Sequence, residues 1–151
     1  MIQSIINSVT PLISNTDSIE FPTDSIRTRS STCCGWLNHD EGSANYDILN
    51  GGIYKVDFSA TISSATAGVV ALQLFKNGEP ISGTLMAKTL AAAGDYANVS
   101  TDAKVQVCCR GDANISVRAV PAVPTPTDPT TPIVTQVPII ADAIFSISRL
   151  A

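Results

Sequence analysis

Between Tyr54 and Ile62 apolar and polar residues alternate without a break. Tyr54, Val56, Phe58, Ala60 and Ile62 fall on one side, Lys55, Asp57, Ser59 and Thr61 on the other. Successive side chains of a strand point to opposite faces, so this run predicts an antiparallel strand with one buried face. The stretch before it, Ser43 to Asn50, closes in Asn50-Gly51-Gly52, a turn signal. After the small residues Ser63 to Gly68, the run Val69 to Phe75 is apolar except for Gln73. That pattern predicts a strand covered on both sides. It leads into Asn77-Gly78, a pair that readily takes positive φ at the centre of a two-residue hairpin, with a return strand expected from Pro80 to Ala87. Residues 88–98 read as a loop crossing one end of a sandwich. Ala103, Val105, Val107 and Cys109 alternate with Lys104, Gln106 and Cys108; Arg110-Gly111-Asp112-Ala113 turns the chain, and Ile115, Val117 and Ala119 alternate again. Residues 121–132 carry Pro121, Pro124, Pro126, Pro129 and Pro132, which predicts an extended loop with few ladder donors. The last strand is expected within Ile139 to Leu150, with Ala141, Ala143, Phe145 and Ile147 sharing a face. Short strands punctuated by turn signals indicate an all-β sandwich or jelly roll.

The first sixteen residues read differently. Ile2, Ile5, Val9 and Leu12 follow a 3-4-3 spacing like a short coiled-coil seam, while Pro11 and the Ser, Thr and Asn content oppose a stable helix. Residues 1–16 are therefore expected to be an extended arm or stem, with a short helix as second choice, and residues 17–151 the domain proper. Ile2, Ile5, Val9 and Leu12 would anchor the arm to another protein. Ile19, Phe21 and Ile26, interrupted by Pro22, suggest an edge or bent strand.

Composition narrows the classes. The chain has 151 residues, enough for one domain with a real core. Charged residues make up 15%, against a usual share of about 25%. Such a surface suits a shell protein or one buried against other subunits. The net charge of -4 offers no basic field for phosphate, so no nucleic-acid partner is expected. No segment approaches a membrane span, and residues 1–8 lack the Lys or Arg and the apolar run of a secretory signal.

Candidate chemistry is sparse. The four cysteines form two adjacent pairs, Cys33-Cys34 and Cys108-Cys109. Neighbours in a strand face opposite ways, so one member of each pair can pack in the core; a disulfide between the pairs and a metal site are the alternatives. The single histidine, His39, stands in Asn38-His39-Asp40-Glu41-Gly42 and reads as a solvated loop residue. No second histidine completes a common zinc site, and no nucleophile-elbow, phosphate-loop or dinucleotide motif occurs. No catalytic residue, cofactor or metal is therefore expected. Arg110-Gly111-Asp112 is a weak receptor signal because Gly and Asp are ordinary turn residues. Asn98-Val99-Ser100 and Asn114-Ile115-Ser116 fit the glycosylation pattern, but without a secretory signal they are read as incidental.

Two blocks carry a family resemblance. Gly51-Gly52-Ile53-Tyr54-Lys55-Val56-Asp57-Phe58 and Val70-Ala71-Leu72-Gln73-Leu74-Phe75-Lys76-Asn77-Gly78-Glu79 resemble the C1q/TNF-like jelly roll. Ala143 to Leu150 looks like that family's last core strand. His39-Asp40-Glu41-Gly42-Ser43 and Val105 to Cys109 are similar to segments of the small cysteine-bearing relatives in bacteriophages and Gram-positive bacteria. The resemblance spans about residues 30–150 and departs at the Pro-rich insertion 121–132 and in lacking a collagen-like Gly-x-y stalk. It implies an antiparallel jelly-roll sandwich of ten strands that assembles as a homotrimer about an apolar axis, and it carries no catalytic residues over. The expected function is a virion structural protein: a capsid decoration, head-fibre or tail-associated trimer, assembled in the bacterial cytoplasm, released with the particle and contacting other virion proteins. The alternative is a host-receptor or carbohydrate-binding head. That reading needs exposed aromatic platforms from Trp36, Tyr46, Tyr54 or Tyr96, in a chain with 5% aromatic residues.

Overall fold

The computed structural model describes residues 1–28, 35–108, 113–128 and 130–151. Its elements are strands throughout: β1 (Ile2–Ile6), β2 (Thr10–Pro11), β3 (Thr23–Arg27), β4 (Leu37–Asn38), β5 (Tyr46–Ile48), β6 (Gly52–Ser63) and β7 (Gly68–Lys76). There follow β8 (Glu79–Pro80), β9 (Met86–Leu90), β10 (Ala97–Val107), β11 (Ala113–Ala119), β12 (Ala122–Val123), β13 (Ile133–Val134) and β14 (Ile139–Arg149). They form two antiparallel six-stranded sheets and a small β12–β13 ladder. The first sheet runs β10-β6-β14-β1-β3, with β2 on the end of β14. The second runs β4-β5-β11-β7-β8, with β9 also on β7. β6 lies between β10 and β14, β14 beside β1, and β11 between β5 and β7, so strands distant in sequence become neighbours, which is the crossing connectivity of a jelly roll.

The alternation predicted for β6 is realised: Tyr54, Val56, Phe58, Ala60 and Ile62 are buried. Leu72, Leu74, Val105, Val107, Ile115, Val117, Phe145 and Ile147 join them in one core between the sheets. At the centre lie Phe21, Tyr46, Phe58 and Phe145. Phe145 stands 4.5 Å from the Tyr46 ring and 5.5 Å from Phe21. Asn77 (φ 52°) and Gly78 (φ 81°) both take left-handed backbone, as the two-residue hairpin requires. At Gly52 the constraint is close approach: a side chain there would meet the Ala151 carbonyl oxygen at 2.5 Å.

Several expectations need correction. Residues 1–16 are not a free arm. β1 is an interior strand, paired with β14 through Ile2↔Ile147 and with β3 through Ile2↔Arg27. The operative period is two, not the 3-4-3 seam: Ile2, Ser4 and Ile6 point inward and are buried. Ile5 faces outward and is half-buried, Leu12 leans on the core, and Val9 is 65% exposed. In β14 a bulge between Ile140 and Asp142 flips the register, so Ile140 rather than Ala141 enters the core. The return strand after Asn77-Gly78 breaks at residues 81–85, leaving the short β8 and a separate β9. Ile26 sits on the exposed side of β3. The double cover expected for β7 is met in part, with Ala71 buried and Val69, Gln73 and Phe75 half-buried.

Candidate functional site

The outward side of the first sheet is broad, and most of its charges gather on β6 and β10. Its β10 end holds Lys55 opposite Lys104 and Asp57 opposite Asp102. Like charges directly opposite repel, and the Lys55–Asp57 ion pair at 3.0 Å offsets part of that. Asp57 and Asp102 together hold the Lys55 ammonium above the ordinary lysine range, Asp57 contributing most. Toward β1 the face becomes nearly uncharged. Ile5, Ser59, Thr61, Asn98 and Ile144 line a shallow open depression of about 460 Å³, with Asp142 at its margin. Thr61 Oγ1 donates to Asn98 Oδ1 at 2.9 Å. Ile144 is 39% exposed. This surface offers small side chains and an aliphatic centre, suited to packing against another flat protein face.

A second feature lies under the β1–β3 edge. His39 is not the solvated loop residue expected from sequence; its side chain is fully buried. Its ring stacks on Tyr46, with centroids 3.9 Å apart and planes within 4°. Nδ1 lies 2.7 Å from Asp24 Oδ1, and Nε2 lies 3.0 Å from the Ser43 carbonyl oxygen. Ser4 Oγ donates to the same Asp24 oxygen, while Arg27 donates to Asp24 Oδ2 at 2.6 Å and to the His39 carbonyl. Glu41 Oε1 accepts the Asp24 amide at 2.9 Å. Burial of Asp24 acts to raise its pKa, but the donors Ser4, Arg27 and His39 outweigh it and hold the carboxyl below the ordinary aspartate range. Burial pushes the Tyr46 hydroxyl far above the ordinary tyrosine range, and its oxygen is buried without a partner among the described residues.

Sequence reasoning found His39 and missed its partners. Asp24 lies fifteen positions away and Ser4 lies beyond that, on another strand. The available signal was the hydroxyl in Ile2-x-Ser4-x-Ile6, a polar group in an inward row. The arrangement is not a nucleophile–base pair, because Ser4 donates to Asp24 and both His39 nitrogens face other oxygens. Among the described residues no group of three His, Cys, Asp or Glu is placed to hold a metal, and no helix is long and apolar enough to cross a membrane. Of the cysteines, Cys108 is exposed; Cys33, Cys34 and Cys109 lie outside the described residues, as does Arg110-Gly111-Asp112. Tyr46 and Tyr54 are buried and Trp36 leans on Tyr54 at 5.2 Å, which leaves Tyr96, 68% exposed, as an open aromatic platform.

Comparison with solved structures fixes the class of fold. The chain is similar to the globular domain of zebrafish complement 1qA, with a TM-score of 0.63 at 12% identity over 99% of this chain and 96% of that one. It is also similar to Eiger TNF from S. frugiperda, with a TM-score of 0.62 at 9% identity over 99% and 92%. The fold is thus a C1q/TNF-like jelly roll. No protein-family model matches the sequence, and no curated protein matches it.

Proposed function

We propose that this chain is a non-enzymatic structural module that forms a homotrimer through the outward face of its first sheet and serves as a surface component of a bacteriophage particle. The observation that carries the assembly is the β1 side of that face: Ile144 exposed and Ile5 half-buried among Ser59, Thr61, Asn98 and Ser146, with the carboxylates Asp57, Asp102 and Asp142 around them. The jelly-roll likeness supports it, since the family that the sequence resembles assembles as trimers. The low charge of 15% fits a protein that spends its surface on neighbours. The one histidine is already committed to Asp24 and Ser43, which supports a structural rather than a catalytic use. Support for the particle comes from the resemblance to small phage and Gram-positive relatives. A sugar-binding head has less behind it, because Tyr46 and Tyr54 are in the core and Trp36 is half-buried against it, which leaves Tyr96.

Sedimentation equilibrium at micromolar concentration tests the assembly. Wild-type protein is expected at three times the 15.8 kDa chain mass, and Ile144→Glu at the mass of one chain with its fold retained. A monomeric wild type would refute the trimer. A proteome of purified particles tests the location, and absence of the chain from every particle fraction would refute the virion role.

A further inference from the structure

The chain carries two Asn-Gly dipeptides, Asn50-Gly51 before β6 and Asn77-Gly78 between β7 and β8. In such a pair the main-chain nitrogen of the glycine can reach the carboxamide carbon of the asparagine side chain, because glycine has no Cβ to block the approach. Closing that five-membered ring needs two things: a carboxamide free to turn, and a glycine N–H that can give up its proton. The two pairs differ on both counts.

At Asn77 the carboxamide is tied down. Its Oδ1 accepts the Asn114 amide at 2.8 Å, and the Asn77 amide donates to the Asn114 carbonyl at 2.8 Å. Swinging the carboxamide carbon onto the Gly78 nitrogen would break the first of these bonds. At Asn50 the side chain is exposed, and among the described residues nothing hydrogen-bonds to its carboxamide or to the Gly51 N–H. What is held there is the peptide group that has to react. The Tyr54 hydroxyl donates to the Asn50 carbonyl oxygen at 2.7 Å. When the Gly51 nitrogen loses its proton, the negative charge spreads onto that same oxygen. A fixed donor aimed at it stabilises the anion as it forms. The Arg149 guanidinium donates to the Gly51 carbonyl at 3.0 Å and brings a positive charge beside the reacting peptide. Burial holds the Tyr54 hydroxyl above the ordinary tyrosine range, so it remains a donor in mildly alkaline solution.

We propose that Asn50-Gly51 is a self-modification site, at which the folded chain converts Asn50 into aspartate and isoaspartate while Asn77 stays asparagine. The Gly51 nitrogen bonds to Asn50 Cγ, and the bond from Cγ to the side-chain nitrogen breaks. The side-chain nitrogen leaves as ammonia, carrying its own two hydrogens and the proton lost by Gly51. Water then opens the ring: its hydroxyl stays on the carbonyl carbon attacked, and its proton returns to the Gly51 nitrogen. Attack at Cγ gives aspartate. Attack at the main-chain carbonyl gives isoaspartate, whose backbone is one methylene longer. That extra length falls just before Gly52, where even a Cβ would meet the Ala151 carbonyl oxygen at 2.5 Å. The modification therefore bears on the contact between the start of β6 and the end of the chain.

The test is to hold folded wild-type protein in warm, mildly alkaline buffer made with heavy-oxygen water, then map its peptides by mass spectrometry. Heavy oxygen is expected at Asn50 about tenfold faster than at Asn77, since one hydrogen bond helps the first site and another must break at the second. Part of the Asn50 product should be isoaspartate. In urea-unfolded protein the two sites should convert at equal rates. Tyr54→Phe removes only the hydroxyl and should slow Asn50 about fivefold, the worth of one neutral hydrogen bond, with Asn77 unchanged. Equal rates in the folded wild type, or faster conversion at Asn77, would overturn the proposal without any variant having to fold. The same preference for Asn50 in urea would overturn it too, because the fold would then have no part in it. A folded Tyr54→Phe protein that converts Asn50 at the wild-type rate would refute the role of the hydroxyl.

Discussion

Tyr46 joins two buried regions that hold together by different physics. On one side of its ring lies the aromatic core, with Phe145 at 4.5 Å and Phe21 at 6.0 Å. On the other lies His39 at 3.9 Å, the first member of the Asp24, Ser4 and Arg27 network. The core depends on volume and burial, which are largely indifferent to direction. The network depends on each donor meeting its acceptor, since a buried polar group left unmatched costs more than the matched bond returns. The core therefore accepts any well-fitting apolar set, whereas the network admits only a geometry in which donors meet acceptors. The first gives the chain its stability and the second ties the edge strand β3 to β1 and to the loop after β4.

The largest expected effect comes from removing what both regions share. β1 places Ile2 and Ile6 in the core and Ser4 in the network. Deleting residues 1–8 would strip β14 of the neighbour on the side away from β6 and leave β3 with nothing to pair with. The truncated chain is expected not to fold, seen as loss of the strand circular-dichroism signal and of a cooperative melt. A stable, soluble truncation would show that the early residues are an appendage after all.

Phe145→Ala attacks the core alone. The ring is fully buried between Phe21, Tyr46 and Phe58. Loss of a buried aromatic ring costs about 3–5 kcal/mol. Urea unfolding should report that loss with the same displacement at every pH, because no titrating group is removed. A displacement that varied with pH would mean that the core and the network are not separable at Tyr46.

The two regions also differed in how far they could be read from the residues. β6, β10, β11 and β14 from Ala143 onward follow period-two alternation, a local property, and their inward side chains stand where the pattern puts them. Asn77-Gly78 was equally local, since two residues decide the turn. β1 misled because Ile2, Ile5, Val9 and Leu12 imitate a helical seam, and only pairing with β14, at the far end of the chain, selects the alternate row. The bulge at Ile140/Asp142 is a property of two strands together and leaves no mark in either alone. His39 was the hardest case. Beside Asp40 and Glu41 it has the surroundings of a loop, and its burial depends on Asp24 arriving from β3 and on how the chain from Ser43 to Tyr46 packs against the ring.

The smallest predicted effect is also the one that separates the two regions most cleanly, because it has a pH signature. Asp24 is held below the ordinary aspartate value of 3.8: burial works against this, and the donors Ser4, Arg27 and His39 overcome it. A carboxylate with a lower pKa in the folded state than in the unfolded chain binds fewer protons when folded. Its contribution to stability is therefore complete above the ordinary value and is lost as the pH falls below it through the folded value. Asp24→Asn keeps the shape, removes the charge, and is expected to cost about 1.5–3 kcal/mol at neutral pH, the range for hydrogen bonds to charged groups. The variant should lose less than the wild type on acidification, so the two stability curves converge toward low pH. They do not become flat. Asp128, which accepts from Thr130 and Thr131, is also held below the ordinary range and continues to titrate in both proteins. Urea midpoints collected from neutral pH down to about pH 2 would show convergence for Asp24→Asn and a parallel offset for Phe145→Ala. Parallel curves for both would mean that Asp24 acts by filling space, and the distinction between the two regions would fall.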